Sequence, residues 1–382
     1  MPTDAFPYKR VALVHDWLVS YRGGEKVLEA IAELFPTVDI YTLLYKPGTI
    51  GPKLEQYPIK ASFLNRLPAS HKYYRYLLPL MPLAIERLDL KEYDLVISSS
   101  SCVAKGIIPG PRARHICYCL TTMRYAWDQY ANYFGNDWKQ FLIFPWVHYL
   151  RMWDVTSSAR VDEFVADSRF VADRIRKYYR RESTVIAPFV DLDKYKLWEG
   201  PRDNYYLVAS AHAPYKRLDI AIEACKKLGR RLVVVGSGQD ATELQKLAGP
   251  GIEFAGQVSD EKLLELYQKA RALLFPGEED FGIVPLEAMA CGTPVIAFDS
   301  GGAQETVSAP TTGMFFSPQT VDALSQAILE FEQKNMSKIL PSNCRRQAES
   351  FSKEDFQMQF RRLLKPVVTS MTSTNEAPYL MQ

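Results

Sequence analysis

The chain has 382 residues, 47% of them hydrophobic and 24% charged, and a formal net charge of +2 at pH 7. This composition excludes an intrinsically disordered chain, and the nearly balanced charge argues against nucleic acid as a partner, because nucleic-acid-binding proteins usually carry a marked basic excess. The length exceeds what one ordinary hydrophobic core accommodates and predicts two domains.

The amino-terminal sequence MPTDAFPYKR lacks the apolar centre of a signal peptide. No stretch approaches the ~20 apolar residues that a membrane-spanning helix needs. The six cysteines lack metal-ligand spacing, so we expect them to be reduced and buried. These features predict a cytoplasmic protein without a bound metal or cofactor, and they leave open a contact with the inner face of the plasma membrane.

The first half of the chain alternates strand-like apolar runs with segments of helical periodicity, which predicts a parallel sheet covered on both faces. The predicted strands span residues 10–15, 37–43, 94–99, 115–120 and 163–168. After the first strand, Gly23 and Gly24 precede a helical segment. Glycines there allow close approach of a ligand, and the free N–H groups of the helix start favour an anion such as a diphosphate.

The segment HKYYRYLLPLMPLAIERL at 71–88 is first basic and aromatic and then strongly apolar. It is too short and too rich in proline to span a bilayer. It is typical either of a helix lying at a membrane interface or of a buried connector between strands.

The second half repeats the same alternation, with predicted strands at residues 205–210, 231–236, 272–276, 294–298 and 313–316. The segment 188–204 is rich in proline and charge and has no clear period, which predicts the hinge there. We therefore expect an α/β protein of two Rossmann-like, doubly wound domains that face a cleft. The expected bounds are residues 1–190 and 191–350, followed by a late helix and a flexible tail over 351–382.

The most informative segment is FPGEEDFGIVPLEAMACGTPVIAF at 275–298. A predicted strand ends at Pro276, a short acidic loop follows, and a helix runs to about Cys291. Gly292 suits the residue after a helix end, where left-handed dihedral angles are needed. Ligands of open α/β sheets bind outside the carboxyl ends of the strands, so this loop predicts a binding site.

This segment resembles the signature E-x-F-G-x-x-x-x-E-A-M-A of the retaining GT-B glycosyltransferases of family 4, here Glu279, Phe281, Gly282 and Glu287. The resemblance covers nearly the whole chain and extends to bacterial exopolysaccharide and O-antigen sugar transferases. It implies that Glu279 bonds hydroxyls of the transferred sugar and that Glu287 bonds the nucleotide ribose. Carboxylates suit both tasks because each accepts two hydroxyl hydrogen bonds. The N–H groups near Ile283 suit a phosphate.

The resemblance also assigns a diphosphate-binding role to Lys216, which makes Lys216 and Glu279 the predicted catalytic residues. Many relatives carry an arginine five residues before this lysine, where Ala211 stands here. Arg217 is a candidate for the missing charge, although its position along the helix turns it to another face.

Two further loops are predicted to bind the donor. Gly236 follows a strand, and the backbone at Val258 matches the segment that contacts the base in the family. The motif G-x-G-x-x-G is not completed after Gly236, so a nicotinamide site is not supported. The turn Ser300-Gly301-Gly302 matches a family glycine turn near the sugar and the phosphate.

The run HICYCLTTMRYAWDQY at 115–130 departs from the related pattern Y-C-H-T-P-M-R-Y-A-W-D. Leu120 replaces the histidine that is thought to touch the donor sugar, and leucine donates no hydrogen bond. Three alternatives stay open: Thr121 or Arg124 supplies the contact, the contact is dispensable, or activity is reduced. Arg124, Tyr125 and Asp128 are candidate acceptor-side residues, and a packed aromatic helix start is the alternative.

The resemblance implies an acceptor-binding domain over residues 1–190 and a nucleotide-sugar-binding domain over 191–350, with the late helix packing back on the first. It implies metal-independent hexosyl transfer, with UDP-glucose favoured and GDP-mannose next, to a glycan or lipid-linked saccharide in polysaccharide biosynthesis. Two rival functions remain: a GT-B-fold sugar-nucleotide epimerase, and a non-catalytic protein that binds a nucleotide sugar.

Overall fold

Two parallel β-sheets, one in each half of the chain, organise the protein in a computed structural model that describes residues 6–130, 140–335 and 339–365. The first sheet has seven strands in the order β3-β2-β1-β4-β5-β6-β7. These are β1 Val11–His15, β2 Asp39–Thr42, β3 Ile59–Ala61, β4 Leu95–Ser100, β5 Arg114–Cys119, β6 Glu163–Ala166 and β7 Ser183–Val185. We call the part of the chain built on this sheet the N-domain.

The second sheet has six strands in the order β10-β9-β8-β11-β12-β13, and we call its part of the chain the C-domain. Its strands are β8 Tyr206–Ala209, β9 Leu232–Val235, β10 Ile252–Gly256, β11 Ala272–Phe275, β12 Val295–Phe298 and β13 Gly313–Phe316. In each sheet the strand order reverses beside the first strand of the domain, between β1 and β4 and between β8 and β11. Such a switch point opens a crevice at the carboxyl ends of the strands.

Helices connect the strands of both sheets. Those of the N-domain are α1 Gly23–Ala32, α2 Pro52–Glu55, α3 Ser70–Tyr73, α4 Met81–Glu86, α5 Gln140–Ser158 and α6 Arg169–Tyr179. Those that follow are α7 Leu218–Leu228, α8 Ala241–Lys246, α9 Asp260–Lys269, α10 Ile283–Ala290, α11 Ala303–Thr306, α12 Val321–Glu330, α13 Pro341–Glu349 and α14 Lys353–Leu364. Short 3-10 turns occur at Phe63–Arg66, Tyr74–Leu80, Ala104–Gly106 and Pro214–Lys216.

Three strands were missed by the sequence analysis: β3, β7 and β10. The loop predicted around Val258 is shorter than its surrounding segment, because Phe254 to Gly256 complete β10 and α9 begins at Asp260. All three missed strands lie at an edge of their sheet, and their residues are only partly buried. The central strands β1 and β4 are buried throughout. An edge strand has one unpaired side and needs no long apolar run, so its sequence carries a weaker signal.

The last described helix, α14, returns to the N-domain. Phe356 and Phe360 are buried in the core of that domain, and the Phe356 ring lies 5.8 Å from the ring of Tyr118. Gln357 donates a hydrogen bond of 3.0 Å to the carbonyl oxygen of Ala30 in α1. The chain therefore passes between the domains twice, through residues 186–205 and again before α14. The tail 366–382 lies outside the described residues.

A buried histidine in β5 makes the N-domain sensitive to acid. His115 lies between the hydroxyl of Ser98, 2.9 Å from Nε2, and the carbonyl oxygen of Arg160, 3.1 Å from Nδ1. Burial lowers its pKa from 6.5 to about 4. The unfolded chain therefore binds more protons between these two values, so stability is retained above pH 6.5 and is lost as the pH falls towards 4.

Between pH 7 and pH 4, we expect the free energy of unfolding to fall by roughly 3 kcal/mol less in His115→Gln than in the wild type, at about 1.4 kcal/mol per pKa unit. The glutamine amide can still bond both neighbours. The measurement is the free energy of unfolding by urea at pH 7 and pH 4, with the exposed His148→Gln as the matched control. Equal pH dependence in all three proteins would contradict the prediction.

Candidate functional site

A cleft of about 1050 Å³ lies where the carboxyl ends of the two sheets face each other. Residues from both domains line it, and many of them were predicted from the sequence. The predicted residues that line the cleft are Gly23, Gly24, Arg124, Glu279, Phe281, Gly282, Ile283 and Glu287. The cleft therefore brings together the glycine pair of the N-domain and the acidic loop and helix start of the C-domain.

Two helix starts face this cleft from opposite domains. Helix α1 begins at Gly23, and α10 begins at Ile283 after Gly282, whose φ of 89° is a conformation that glycine adopts without strain. A side chain on Gly24 would come within 3.0 Å of the Leu120 side chain. N–H groups in the first turn of a helix lack partners within the helix, so both ends favour a bound anion.

Lys216 forms an ion pair with Glu279 beside the cleft, and both side chains are largely buried. Lys216 ends the 3-10 turn that follows β8, whereas Glu279 lies in the loop that follows β11. The two strands are neighbours at the switch point, which explains the contact. The loops pack so closely that a side chain on Gly277 would meet the backbone of Lys216 at 2.8 Å.

Glu287 is the fifth of the eight residues of α10 and lines the same cleft. The hydroxyl of Tyr267 donates a hydrogen bond of 2.9 Å to its carboxylate. Burial raises the pKa of Glu287, and the charge of Lys26 from the N-domain opposes this rise together with hydrogen bonds from Tyr267 and Tyr195. A carboxylate in this setting suits a ligand that supplies further hydroxyl donors.

The glycine turn Ser300-Gly301-Gly302 packs against the acidic loop that holds Glu279. Gly302 donates a hydrogen bond of 2.8 Å to the carbonyl oxygen of Glu279, and a side chain on Gly302 would meet the backbone of Phe281 at 2.3 Å.

We expect Gly302→Ala to lower the free energy of unfolding by about 2 kcal/mol and to weaken nucleotide binding, because the acidic loop must shift. Thermal unfolding and nucleotide titration measure both effects. Gly249→Ala is the matched control, since a side chain there meets only the flexible Lys226.

The carboxylate of Asp280 joins the C-domain to the N-domain. It accepts a hydrogen bond of 3.1 Å from the hydroxyl of Thr121 and forms an ion pair of 2.7 Å with Arg124. Arg174 of α6 contacts both Asp280 and Asp128. One acidic side chain next to Glu279 therefore holds three side chains of the opposite domain.

A second contact between the domains involves the start of α6. The backbone N–H groups of Arg169 and Phe170 donate to the carboxylate of Glu305 at 2.8 and 3.2 Å. The hydroxyl of Ser168 donates to the carbonyl oxygen of Asp280 at 2.6 Å. Burial, together with the charges of Asp280 and Glu305, raises the pKa of Asp167 well above its usual range. These contacts close one side of the cleft.

Sequence reasoning missed this network. Asp280 occupies the unspecified position of the signature, and Ser168 and Arg174 belong to a helix with no recognised motif. Glu305 lies three residues after the turn Ser300-Gly301-Gly302, and sequence reasoning assigned it no role of its own. Thr121 is bonded to Asp280, so its hydroxyl is not directed at a sugar.

Four predicted donor residues are not among those that line the cleft, and Lys216, which pairs with the cleft residue Glu279, is one of them. Arg217 pairs with Asp219 at 2.9 Å, which turns its guanidinium away from Lys216. Gly236 is packed against the carbonyl oxygen of Ser210, which lies 1.9 Å from where a side chain would begin. Val258 packs against the core of the C-domain. The side chains of Arg217 and Val258 are therefore turned away from a donor in the cleft, and the prediction for Gly236 and Val258 rests on their backbone groups.

Two predicted acceptor-side residues are also engaged elsewhere. The hydroxyl of Tyr125 contacts the thiol of Cys102 inside the N-domain, and burial raises the pKa of this tyrosine well above its usual range. Asp128 is paired with Arg174. Tyr125 therefore fits the alternative interpretation, a packed aromatic helix start. Of the three predicted acceptor-side residues, Arg124 alone lines the cleft.

All six cysteines are buried thiols. Within residues 6–130, 140–335 and 339–365, no group of three or more His, Cys, Asp or Glu side chains is placed to hold a metal ion. No helix in these ranges is both long enough and apolar enough to cross a membrane.

Comparison with known proteins supports the resemblance. Residues 192–351 match the family model of the glycosyl transferases group 1. The human alpha-1,3/1,6-mannosyltransferase ALG2 is 25% identical over an alignment that covers 94% of this chain and 96% of ALG2. A GDP-mannose-dependent monoacylated alpha-(1-6)-phosphatidylinositol monomannoside mannosyltransferase of Corynebacterium glutamicum is 37% identical over 111 residues, which are 26% of this chain and 29% of that protein. The first curated relatives are thus matched over 59% and 29% of their own lengths.

The arrangement of both domains is similar to solved structures. Anabaena HepE in complex with UDP-glucose superposes with a TM-score of 0.67 at 19% identity, over 93% of this chain and 99% of HepE. The two parallel-sheet domains with a cleft between them are therefore the GT-B fold predicted from the resemblance. Residues 192–351, which are similar to the group 1 glycosyltransferases, contain the strands of the C-domain of this fold.

Proposed function

We propose that this chain is a retaining, metal-independent hexosyltransferase. It takes a sugar from a nucleotide-sugar donor bound in the cleft and transfers it to a glycan or lipid-linked saccharide in polysaccharide biosynthesis. One observation carries the proposal: Glu279 and Glu287 line one cleft together with two helix starts from opposite domains.

Each part of the donor has a chemical counterpart in this cleft. The diphosphate lies between the N–H groups at Gly23 and those at Ile283, where both helix starts favour negative charge. Glu279 accepts hydrogen bonds from sugar hydroxyls, and Glu287 accepts them from the ribose. Lys216 then exchanges its carboxylate partner for the departing diphosphate and stabilises the charge that develops on it.

The retaining outcome follows from attack by the acceptor on the face of the sugar from which the diphosphate leaves. In this mechanism the acceptor hydroxyl forms the new bond to the anomeric carbon while the bond to the diphosphate breaks, and the diphosphate takes the hydroxyl proton. Closed domains exclude water, which would otherwise hydrolyse the donor.

GDP-mannose and UDP-glucose are the first donors to test. The resemblance favours UDP-glucose, whereas the relative with 37% identity in part of its length is named as GDP-mannose-dependent. That identity is higher than the 19% shared with the UDP-glucose complex of HepE. We therefore place GDP-mannose ahead of UDP-glucose.

The proposal is tested by thermal shift with UDP-, GDP- and ADP-sugars, since a ligand that binds only the folded protein raises its melting temperature. The preferred donor is then incubated with and without lipid-linked saccharides, and both nucleoside diphosphate and sugar products are measured. Release that depends on the acceptor supports transfer, and the anomeric configuration of the product, measured by NMR against that of the donor, tests whether configuration is retained. Epimerised donor without an acceptor indicates the epimerase, and binding without turnover for any acceptor indicates a non-catalytic protein.

We further propose that the N-domain contacts the cytoplasmic face of the membrane, where a lipid-linked acceptor is held. Segment 71–88 is partly a buried connector, since Met81 is buried, yet Tyr76 and Leu83 are exposed. Helix α5 exposes Trp146 and lies next to α4, because the indole N–H of Trp153 bonds Glu86 at 2.8 Å. Exposed aromatic and aliphatic side chains of this kind favour the headgroup region of a bilayer.

We expect Leu83→Ser and Trp146→Ser each to weaken binding to vesicles with anionic lipid by about 10-fold, because each removes an apolar side chain that the membrane would bury. Co-sedimentation measures the effect. Leu340→Ser, an exposed leucine that follows the C-domain strands, is the matched control. Equal binding by all three variants and the wild type would contradict the membrane contact.

A further inference from the structure

The cleft lacks one cation that the family pattern places in the C-domain. Ala211 stands where many relatives carry an arginine, and Arg217 is turned towards Asp219. Of the three positions on this loop, Lys216 carries the cation that pairs with a cleft residue, Glu279. A diphosphate carries more negative charge than one lysine neutralises, so a second cation close to Lys216 would strengthen its binding.

Arg124 belongs to the N-domain and lies close to the same aromatic ring as Lys216. Its guanidinium carbon lies 4.8 Å from the centre of the Tyr215 ring, and the ammonium of Lys216 lies 5.1 Å from that same centre. Arg124 also lines the cleft. One aromatic ring is thus flanked by two cations, one from each domain.

The two cations are held by consecutive carboxylates. Lys216 pairs with Glu279, and Arg124 pairs with Asp280 at 2.7 Å. Asp280 has two other partners, Thr121 and Arg174. When Arg124 leaves Asp280 to bind an incoming anion, the buried carboxylate of Asp280 therefore keeps Thr121 and Arg174 as partners.

We propose that Arg124 is a second diphosphate-binding residue, supplied by the N-domain in place of the cation missing at position 211. This assignment rests on the proposed function and replaces the acceptor-side role predicted for Arg124. The planar guanidinium offers two parallel N–H donors to phosphate oxygens, a geometry that a lysine does not provide. Donor affinity then requires both domains, since Lys216 belongs to the C-domain and Arg124 to the N-domain.

The test is calorimetric titration of the full chain with UDP, GDP and ADP and with the corresponding nucleosides, which carry no phosphate. We expect Arg124→Gln to weaken binding of the preferred nucleoside diphosphate by about 10-fold or more, the usual effect of losing a charge-assisted hydrogen bond. Nucleoside affinity is expected to stay within about 2-fold, because the base and ribose contacts are retained. Arg169→Gln removes the same charge from an exposed position of the N-domain and is the matched control.

A second variant restores the cation from the other domain. Adding Ala211→Arg to Arg124→Gln is expected to recover most of the lost diphosphate affinity, which a merely structural role of Arg124 would not permit. Wild-type affinity in Arg124→Gln, or equal losses for diphosphate and nucleoside, overturns the assignment and leaves the proposed function standing. A wild-type protein that binds none of the three nucleoside diphosphates overturns the proposed function itself.

Discussion

Glu279→Gln is expected to lower the rate of sugar transfer about 10²- to 10³-fold, the usual effect of removing one group that stabilises a transition state in a closed site. The neutral amide is a weaker acceptor for sugar hydroxyls than the carboxylate. It also leaves Lys216 without the charged partner that holds it beside the cleft in the absence of donor. The measurement is nucleoside diphosphate release with the preferred donor and acceptor, separated into kcat and KM.

Glu278→Gln is the matched control, because it removes the same charge from the adjacent position of the loop. Glu278 accepts a hydrogen bond of 2.5 Å from the hydroxyl of Ser300. We expect its replacement to change turnover far less than Glu279→Gln. Similar losses in the two variants would mean that the loop as a whole is sensitive to charge, and a wild-type rate in Glu279→Gln would remove Glu279 from the catalytic residues.

Asp280→Asn is expected to lower the free energy of unfolding by about 3–5 kcal/mol, the range observed when one member of a buried ion pair is removed. Arg174 is 10% exposed and Asp280 is 8% exposed, so solvent screens their interaction little. The substitution leaves Arg174 and Arg124 close together with less compensating charge. Denaturation in urea measures the loss, and we expect the domains to separate at lower urea than in the wild type.

The exposed Asp299→Asn is the control for this variant, since it removes a carboxylate near the same strand ends without a cross-domain contact. Small-angle X-ray scattering gives an independent measure, because loss of the network is expected to enlarge the radius of gyration. Unchanged stability and unchanged dimensions in Asp280→Asn would show that Glu305 and the helix α6 start suffice to join the domains.

One short loop carries both the proposed catalytic residue and a residue that joins the two domains. Glu279 faces the proposed donor, whereas Asp280 holds the N-domain through Thr121, Arg124 and Arg174. Because the two carboxylates are consecutive, a shift in domain position moves the proposed catalytic residue as well. We therefore expect Asp280→Asn to reduce transfer beyond what its lower stability explains at a temperature where the protein remains folded.

The two-domain α/β organisation and the acidic loop before α10 were predictable from the amino-acid sequence. Central strands are buried on both faces and read as continuous apolar runs, and the signature around Glu279 and Glu287 is contiguous. The glycines Gly23 and Gly282 were also predicted, because helix starts and close backbone approach leave few other choices. All of these features depend on residues near one another in the chain.

The contacts that join the two halves of the cleft depend on folding and were not predictable from the sequence. Edge strands such as β7 have weak local patterns because they need little burial. Arg174 and Asp280 are 106 positions apart in the sequence, and no local sequence pattern predicts that they pair. Arg217 and Tyr125 had suitable chemistry, yet packing directs one to Asp219 and the other to Cys102. Side-chain direction depends on neighbours brought together by folding, and that information is absent from the spacing of residues along the chain.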